Sequence, residues 1–249
     1  MHCCGAFDNI QPKEGDIMGK PGFCMLLAAL LWAGSAPAAE PLSDTQRAES
    51  TSKGIDLLAQ GKPAEAVAMV DPVLTSFDAQ YPAGEKQIFC ANGIDQTMAV
   101  LLMASTTGKD SIALTPTWCD ALFTKGFALV DLQRLDEAGP YLQKAAEMAP
   151  LNAHYINEYA EWHKAKRHWQ TAYDLFDKAR SVIFYAPDAF KKPHEARSLR
   201  GMGFALIELG KLDEAEKMFK KSLKLMPGHP SALSELQYIK DLRKTKPSA

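Results

Sequence analysis

Residues Gly126–Pro150 read GFALVDLQRLDEAGPYLQKAAEMAP, and Gly203–Pro227 read GFALIELGKLDEAEKMFKKSLKLMP; 11 of the 25 positions are identical. The two stretches start 77 residues apart, which is two periods of 34 plus nine. A third unit with a nine-residue insertion is therefore expected between them, and it is there. Adding 34 to Gly126, Ala138, Leu142 and Ala145 gives Ala160, Ala172, Phe176 and Ala179; adding 43 to those gives Gly203, Ala215, Phe219 and Ser222. The surplus falls around Ile183–Lys191, after the second helix of the middle unit. Upstream, Gly54, Ala66, Val70 and Val73 keep the same internal spacings in a weaker copy. A period of this length means one supersecondary unit that cannot bury its apolar face alone and must stack on its neighbours.

The residue types say what each unit is. Small residues at Gly126, Ala138 and Ala145 let two antiparallel helices approach closely, while Leu129, Leu132, Leu135 and Leu142 fill the seam between them. Asp136 and Asp213 open the second helices, where a carboxylate suits the helix N-terminus. With Pro150 and Pro227 closing two of the units, the pattern resembles the tetratricopeptide repeat family. The middle unit departs from it, carrying Ile183–Ala186 where the proline should stand, so its second helix is expected to run on or bend. The resemblance covers Cys119–Pro227 well and Arg47–Asp78 loosely, and it implies an all-α, right-handed superhelical solenoid of antiparallel helix pairs.

Around the repeats, residues 39–80 read as a degenerate first unit, 81–116 as an irregular helical bridge, 117–230 as three units, and 231–249 as a capping helix with a basic tail. In the bridge, Gly93–Thr107 reads as a helix with Met98, Leu101, Leu102 and Ile94 on its apolar side, and Gly108–Pro116 as a loop; no strand pattern stands out anywhere. In the cap, Leu233, Leu236 and Ile239 form the apolar stripe.

The N-terminus has a different grammar. Lys20, an apolar run from Phe23 to Ala33, and a small-x-small site at Ala36–Ala38 are the layout of a secretory signal peptide. A run of 11 residues is too short for a hydrocarbon core that needs about 20. Residues 1–17 carry Asp8, Glu14 and Asp16 where such a signal should be positive, which points to Met18 as the start, with cleavage near Ala38 and export to a periplasm. Cleavage would remove Cys3, Cys4 and Cys24 and leave Cys90 and Cys119. In an oxidising compartment these two are expected to pair, the alternative being two buried free thiols.

Catalytic motifs are missing: the chain has no G-x-S-x-G, H-E-x-x-H or C-x-x-C. Gly54–Lys62 spaces its glycines wrongly for a phosphate loop and belongs to a helix turn. His154, His163 and His168 accompany Glu158 and Glu161, too few converging ligands for a metal site, so no cofactor or metal is expected. With 47% hydrophobic and 23% charged residues and a net charge of −2, the chain is not basic enough for obligate nucleic-acid binding. Charge is uneven, with an excess of acids to Phe190 and of Lys and Arg after it; a contact of the basic end with an anionic surface is weighed against an ordinary solvated cap.

In the family the first helices line an inner groove that takes partner peptides. Carried onto this sequence, that geometry nominates Phe123, Phe127, Val130 and Asp131; Asn157, Glu158, Glu161 and Lys164; and Arg197, Arg200, Phe204, Ile207 and Glu208. Two apolar patches, Phe123/Phe127 and Phe204, would flank a polar centre. The members that clamp a C-terminal carboxylate use Lys, Asn and Arg at fixed sites, where this chain has Phe123, Phe127, Glu158 and Gly201, so that mode is not expected. The reading is an adaptor for a protein or peptide segment. Its rivals are a carrier with Phe123, Phe127, Phe204 and Ile207 around an enclosed pocket, and an enzyme with a site on Tyr81–Pro116. A blander alternative is also open: Phe127 and Phe204 covered by Ile183–Lys191 or by the N-terminal segment, and Glu158 and Glu161 merely paired with Arg197 and Arg200.

Overall fold

The computed structural model describes residues 41–245. The leader and cleavage site expected over 1–38, with Cys3, Cys4 and Cys24, lie outside the described residues, as do the last four residues of the tail. Four helix pairs follow one another: α1 (Asp44–Ala59) with α2 (Pro63–Gln80), α4 (Thr117–Asp131) with α5 (Leu135–Met148), α6 (Ala153–Ala165) with α7 (Trp169–Ser181), and α8 (Asp188–Glu208) with α9 (Leu212–Leu225). α10 (Pro230–Thr245) packs on α9 and closes the stack. The architecture is an all-α stack of antiparallel helix pairs.

Each pair closes over the same contact. A Cβ on Gly126 would lie 2.8 Å from Leu142, one on Gly203 2.7 Å from Phe219, and one on Gly54 2.6 Å from Val70. In the middle pair Ala160 packs against the fully buried Phe176. The small residue and the bulky one are always 16 positions apart, the distance that carries the chain down one helix, round the turn and back beside its start. The turns repeat as well: Gly61, Gln133, Arg167 and Gly210 all have φ between 60° and 75°, so two of the four place a side-chain-bearing residue in the left-handed region.

Between pairs, the second helix of one packs on the first helix of the next: α2 on α4, α5 on α6, α7 on α8. Gly139 in α5 makes room for Trp162 of α6, and Gly201 in α8 receives the Phe176 ring. α1 and α2 stack directly on α4, with Phe77 lying flat on Trp118 at 5.0 Å and Lys125 paired to Asp71 at 2.6 Å. Residues 81–116 therefore do not bridge the first pair to the rest, as the sequence suggested; they are an insertion beside a continuous stack.

That insertion departs from expectation in two further ways. It contains strands, β1 (Gln87–Cys90) and β2 (Ser111–Leu114), paired in parallel with Gln87 opposite Ser111 and Cys90 opposite Leu114. Parallel strands need a crossover, and α3 (Gly93–Ser105) supplies it. Four-residue strands are too short to show a period in sequence. α3 also packs by the opposite side from the one expected: Val100 and Ala104 are buried, whereas Ile94, Met98, Leu101 and Leu102 are exposed. In α10 the inner positions fall to Ala232 and Ile239, with Leu236 partly buried, and Leu233 is exposed. The surplus of the middle unit forms a 3-10 turn at Ile183–Tyr185 and prolongs the front of α8 to 21 residues, while α7 stops at Ser181.

Candidate functional site

The first helices set one line of side chains each along a shared wall. α4 contributes Asp120, Phe123, Phe127 and Val130 at helical spacing; α6 contributes His154, Glu158 and Glu161; α8 contributes Phe190, His194, Arg197 and Phe204. Two cavities open on this wall. One lies toward the C-terminal ends of α4 and α6, the other toward their N-terminal ends.

The first cavity is half-open, has a volume of about 420 Å³, and is lined by Phe127, Val130, Glu158, Glu161, Lys164 and Phe204 together with Trp162 and Trp169. Phe127 and Phe204, expected as separate patches on either side of a polar centre, line one and the same cavity. Residues 183–191 do not cover them; Tyr185, Ala186, Pro187 and Phe190 line the other cavity instead. The two tryptophans were not foreseen. Trp162 is anchored by its indole N–H, which donates to the Leu135 carbonyl at 2.7 Å. Trp169, the first residue of α7, lies 6.0 Å from the Phe204 ring, and the Lys164 ammonium lies 5.1 Å from the centre of the same ring.

The remaining nominated residues do other work. Asn157 is buried, accepts a hydrogen bond from Ser198 at 2.9 Å and donates to the His194 carbonyl at 3.5 Å. It locks α6 to α8 and is not on the groove surface. Ile207 is likewise buried, in the core shared with α9 and α10. Asp131 is exposed beyond the cavity, and Glu208 is exposed at the end of α8. Phe123 packs between Phe127, His154 and Tyr155. The Arg197 guanidinium pairs with Glu158 and lies 3.8 Å from Glu161. Burial opposes the Arg197 charge, but Glu158's hydrogen bond and charge outweigh it and raise its pKa. Arg200 does not pair with Glu161; it donates to Ser222 at 3.2 Å.

The second cavity, also half-open and about 450 Å³, brings together Asp120, His154, Tyr155 and His194, none of which was nominated for a groove. The Tyr155 hydroxyl donates to the Asp120 carboxylate, and burial raises the pKa of both groups. His154 is pushed down to about 4 by burial, and His194 is lowered for the same reason. Cys90 also lines this cavity, bonded to Cys119 with an S–S distance of 2.06 Å, so the bridge ties the end of β1 to the first turn of α4. The paired spacing that raised the question of a metal resolves differently: His154 Nδ1 is 3.9 Å from Glu158, and His163 faces His168 at 3.1 Å. Among the described residues no three His, Cys, Asp or Glu side chains converge on one point, and no helix is long and apolar enough to cross a membrane.

Tetratricopeptide repeat family models match residues 120–150 and 196–229. The fold is similar to that of Pseudomonas aeruginosa pilF, with a TM-score of 0.56 and 16% identity over 81% of this chain and 71% of that one. It is also similar to MamA 41-end from Desulfovibrio magneticus RS-1 (TM-score 0.55, 13% identity, 82% of this chain and 87% of that one) and to MamA MSR-1 C2 (0.51, 19%, 81% and 89%). At such identities the likeness concerns the fold alone. No curated protein matches the sequence.

Proposed function

We propose that this chain, a protein built of tetratricopeptide repeats, is an exported, periplasmic, non-catalytic adaptor that holds a segment of a partner protein against its first helices. The observation that carries the reading is the half-open cavity where Phe127, Val130, Trp162, Trp169 and Phe204 meet Glu158, Glu161 and Lys164. Aromatic side chains in a partly desolvated pocket are the anchors that dominate interface energy, and here each ring is held by a rigid helix, so little ordering is required on binding. A carrier would need an enclosed pocket; this one is open on one side, and neither Phe123 nor Ile207 lines it. Export rests on the leader-like grammar of residues 18–38, and the Cys90–Cys119 bridge suits an oxidising compartment. At the basic end Arg243 is already engaged by Asp213 and Glu216, and Lys244 by Asp241, so the solvated-cap reading is preferred there to an anionic surface contact.

Affinity capture from envelope extracts tests the proposal. The wild-type chain is expected to retain a partner that a Phe127→Ala/Phe204→Ala variant of unchanged helicity loses; recovery of the same proteins by both would overturn it.

A further inference from the structure

The cavity at the N-terminal end of the wall has an unusual charge inventory. Of the described residues lining it none is Lys or Arg, and one is acidic, Asp120. The Asp120 carboxylate accepts a hydrogen bond from Tyr155 and has no cation as a partner among the described residues, although a carboxylate has about four acceptor positions and a buried charge without a counter-ion is costly. Of the neighbouring amides, Gln96 accepts from the Asn92 backbone and donates to the Tyr185 carbonyl, and the Asn152 side-chain oxygen caps α6. A file of rings runs along the same wall, three of them, His154, His194 and Phe190, lining the cavity with Asp120. Phe123 lies 4.8 Å from His154, His154 5.3 Å from His194, and His194 5.8 Å from Phe190. Burial lowers the pKa of both imidazoles, that of His154 to about 4, so near neutral pH the His154 ring is uncharged. An anion entering here would meet an uncompensated carboxylate. A cation would meet that carboxylate and the rings of Phe190 and Tyr185, whose faces attract positive charge.

We propose that this cavity binds an alkylammonium or guanidinium group, with Asp120 accepting its N–H donors and His154, His194 and Phe190 flanking its charge. The group is either the side chain of a lysine or arginine on a bound segment or a free small amine; the recognising chemistry is the same. The site does not depend on the docking reading, because it shares no lining residue with the Phe127/Phe204 cavity.

The test is an NMR titration of the full chain at neutral pH, following the imidazole C–H signals of His154 and His194. The probes are cadaverine, agmatine, and the capped tripeptides Gly-Lys-Gly and Gly-Arg-Gly, with 1-pentanol and capped Gly-norleucine-Gly as neutral controls. Saturable shifts with at least one cationic probe, and none with the neutral ones, are expected. Asp120→Asn, which keeps an oxygen for Tyr155, should weaken binding about tenfold or more, as loss of a charge-assisted contact does. Phe190→Ala, at an exposed position that leaves the fold intact, should weaken it about threefold; it also serves as the test if the Asn variant fails to fold. Binding by the free amines assigns a small-molecule source, and binding by the tripeptides alone assigns a partner side chain. Absence of shifts with every cation, equal shifts with the neutral probes, or affinity unchanged in both variants would overturn the proposal. Loss of partner capture on mutating Phe127 and Phe204 leaves these outcomes unaffected, so the two readings fail separately.

Discussion

At Gly201 an added Cβ would sit 2.3 Å from the Phe176 ring, and that ring is fully buried. Gly201→Ala is therefore expected to destabilise the chain by about 1–3 kcal/mol, the usual cost of overpacking, read as a lower urea midpoint; an unchanged midpoint would contradict the packing described. His154 offers a second residue-scale check. Its environment combines burial, His194 and Arg197, which oppose its charge, with Glu158, which favours it, and the net result is a pKa of about 4. Because the folded pKa lies below the unfolded value, His154 contributes stability that is fully present above about pH 6.5 and is lost as pH falls toward 4. With more than a third of the side chain exposed, that contribution is held to about 1 kcal/mol. Asp120, raised in pKa by burial, acts in the opposite direction, so the clean measurement is the imidazole titration itself. A midpoint near 4 is expected; one near 6.5 would show the ring to be solvated.

Among the elements, the helix pairs were legible because their period is long and repeated: Gly126, Ala160 and Gly203 mark three close approaches, and the structure has a helix crossing at each. The strands were not, since Gln87–Cys90 and Ser111–Leu114 are each four residues long and find their partner only through the α3 crossover. For the same reason the buried side of α3 was misjudged. Hydrophobicity ranks Met98 and Leu102 above Ala104, but small Ala104 is what fits against the sheet. The turns supply a test. Gln133 occupies the left-handed conformation that Gly210 occupies in the last pair. Gln133→Gly should thus relieve strain of about 1 kcal/mol, partly offset by the entropy of the unfolded chain. A small rise in melting temperature is expected, and Gly210→Ala should lower it. The disulfide offers another: Cys90 and Cys119 are 29 residues apart, so Cys90→Ser/Cys119→Ser should cost about 3 kcal/mol in the loop-closure picture. Thiol labelling of the unfolded, unreduced wild type should find neither cysteine free.

For the molecule as a whole, stacking is what turns separate side chains into a surface. Phe127 and Phe204 are 77 positions apart, yet they line one cavity because α4, α6 and α8 stand side by side. That the two share a wall followed from the repeat register; that they meet in one cavity, instead of flanking a polar centre, did not. Trp169 did not, because it opens a second helix and reaches the wall from the turn; nor did Asn157 and Ile207, whose burial depends on how α8 packs against α6 and α9. The Asp120 cavity was hidden for a further reason: two of its walls, the 3-10 turn and the end of β1, come from segments outside the repeat. The most direct measurement of the central claim uses a photo-crosslinking residue in the chain. Ala165 is exposed on the rim of the Phe127/Phe204 cavity, and Gln143 is exposed on α5, a second helix. A probe at 165 should yield a discrete partner adduct that disappears with Phe204→Ala, while a probe at 143 yields none. Equal adducts from both positions, or an adduct at 165 indifferent to Phe204, would contradict docking on the wall.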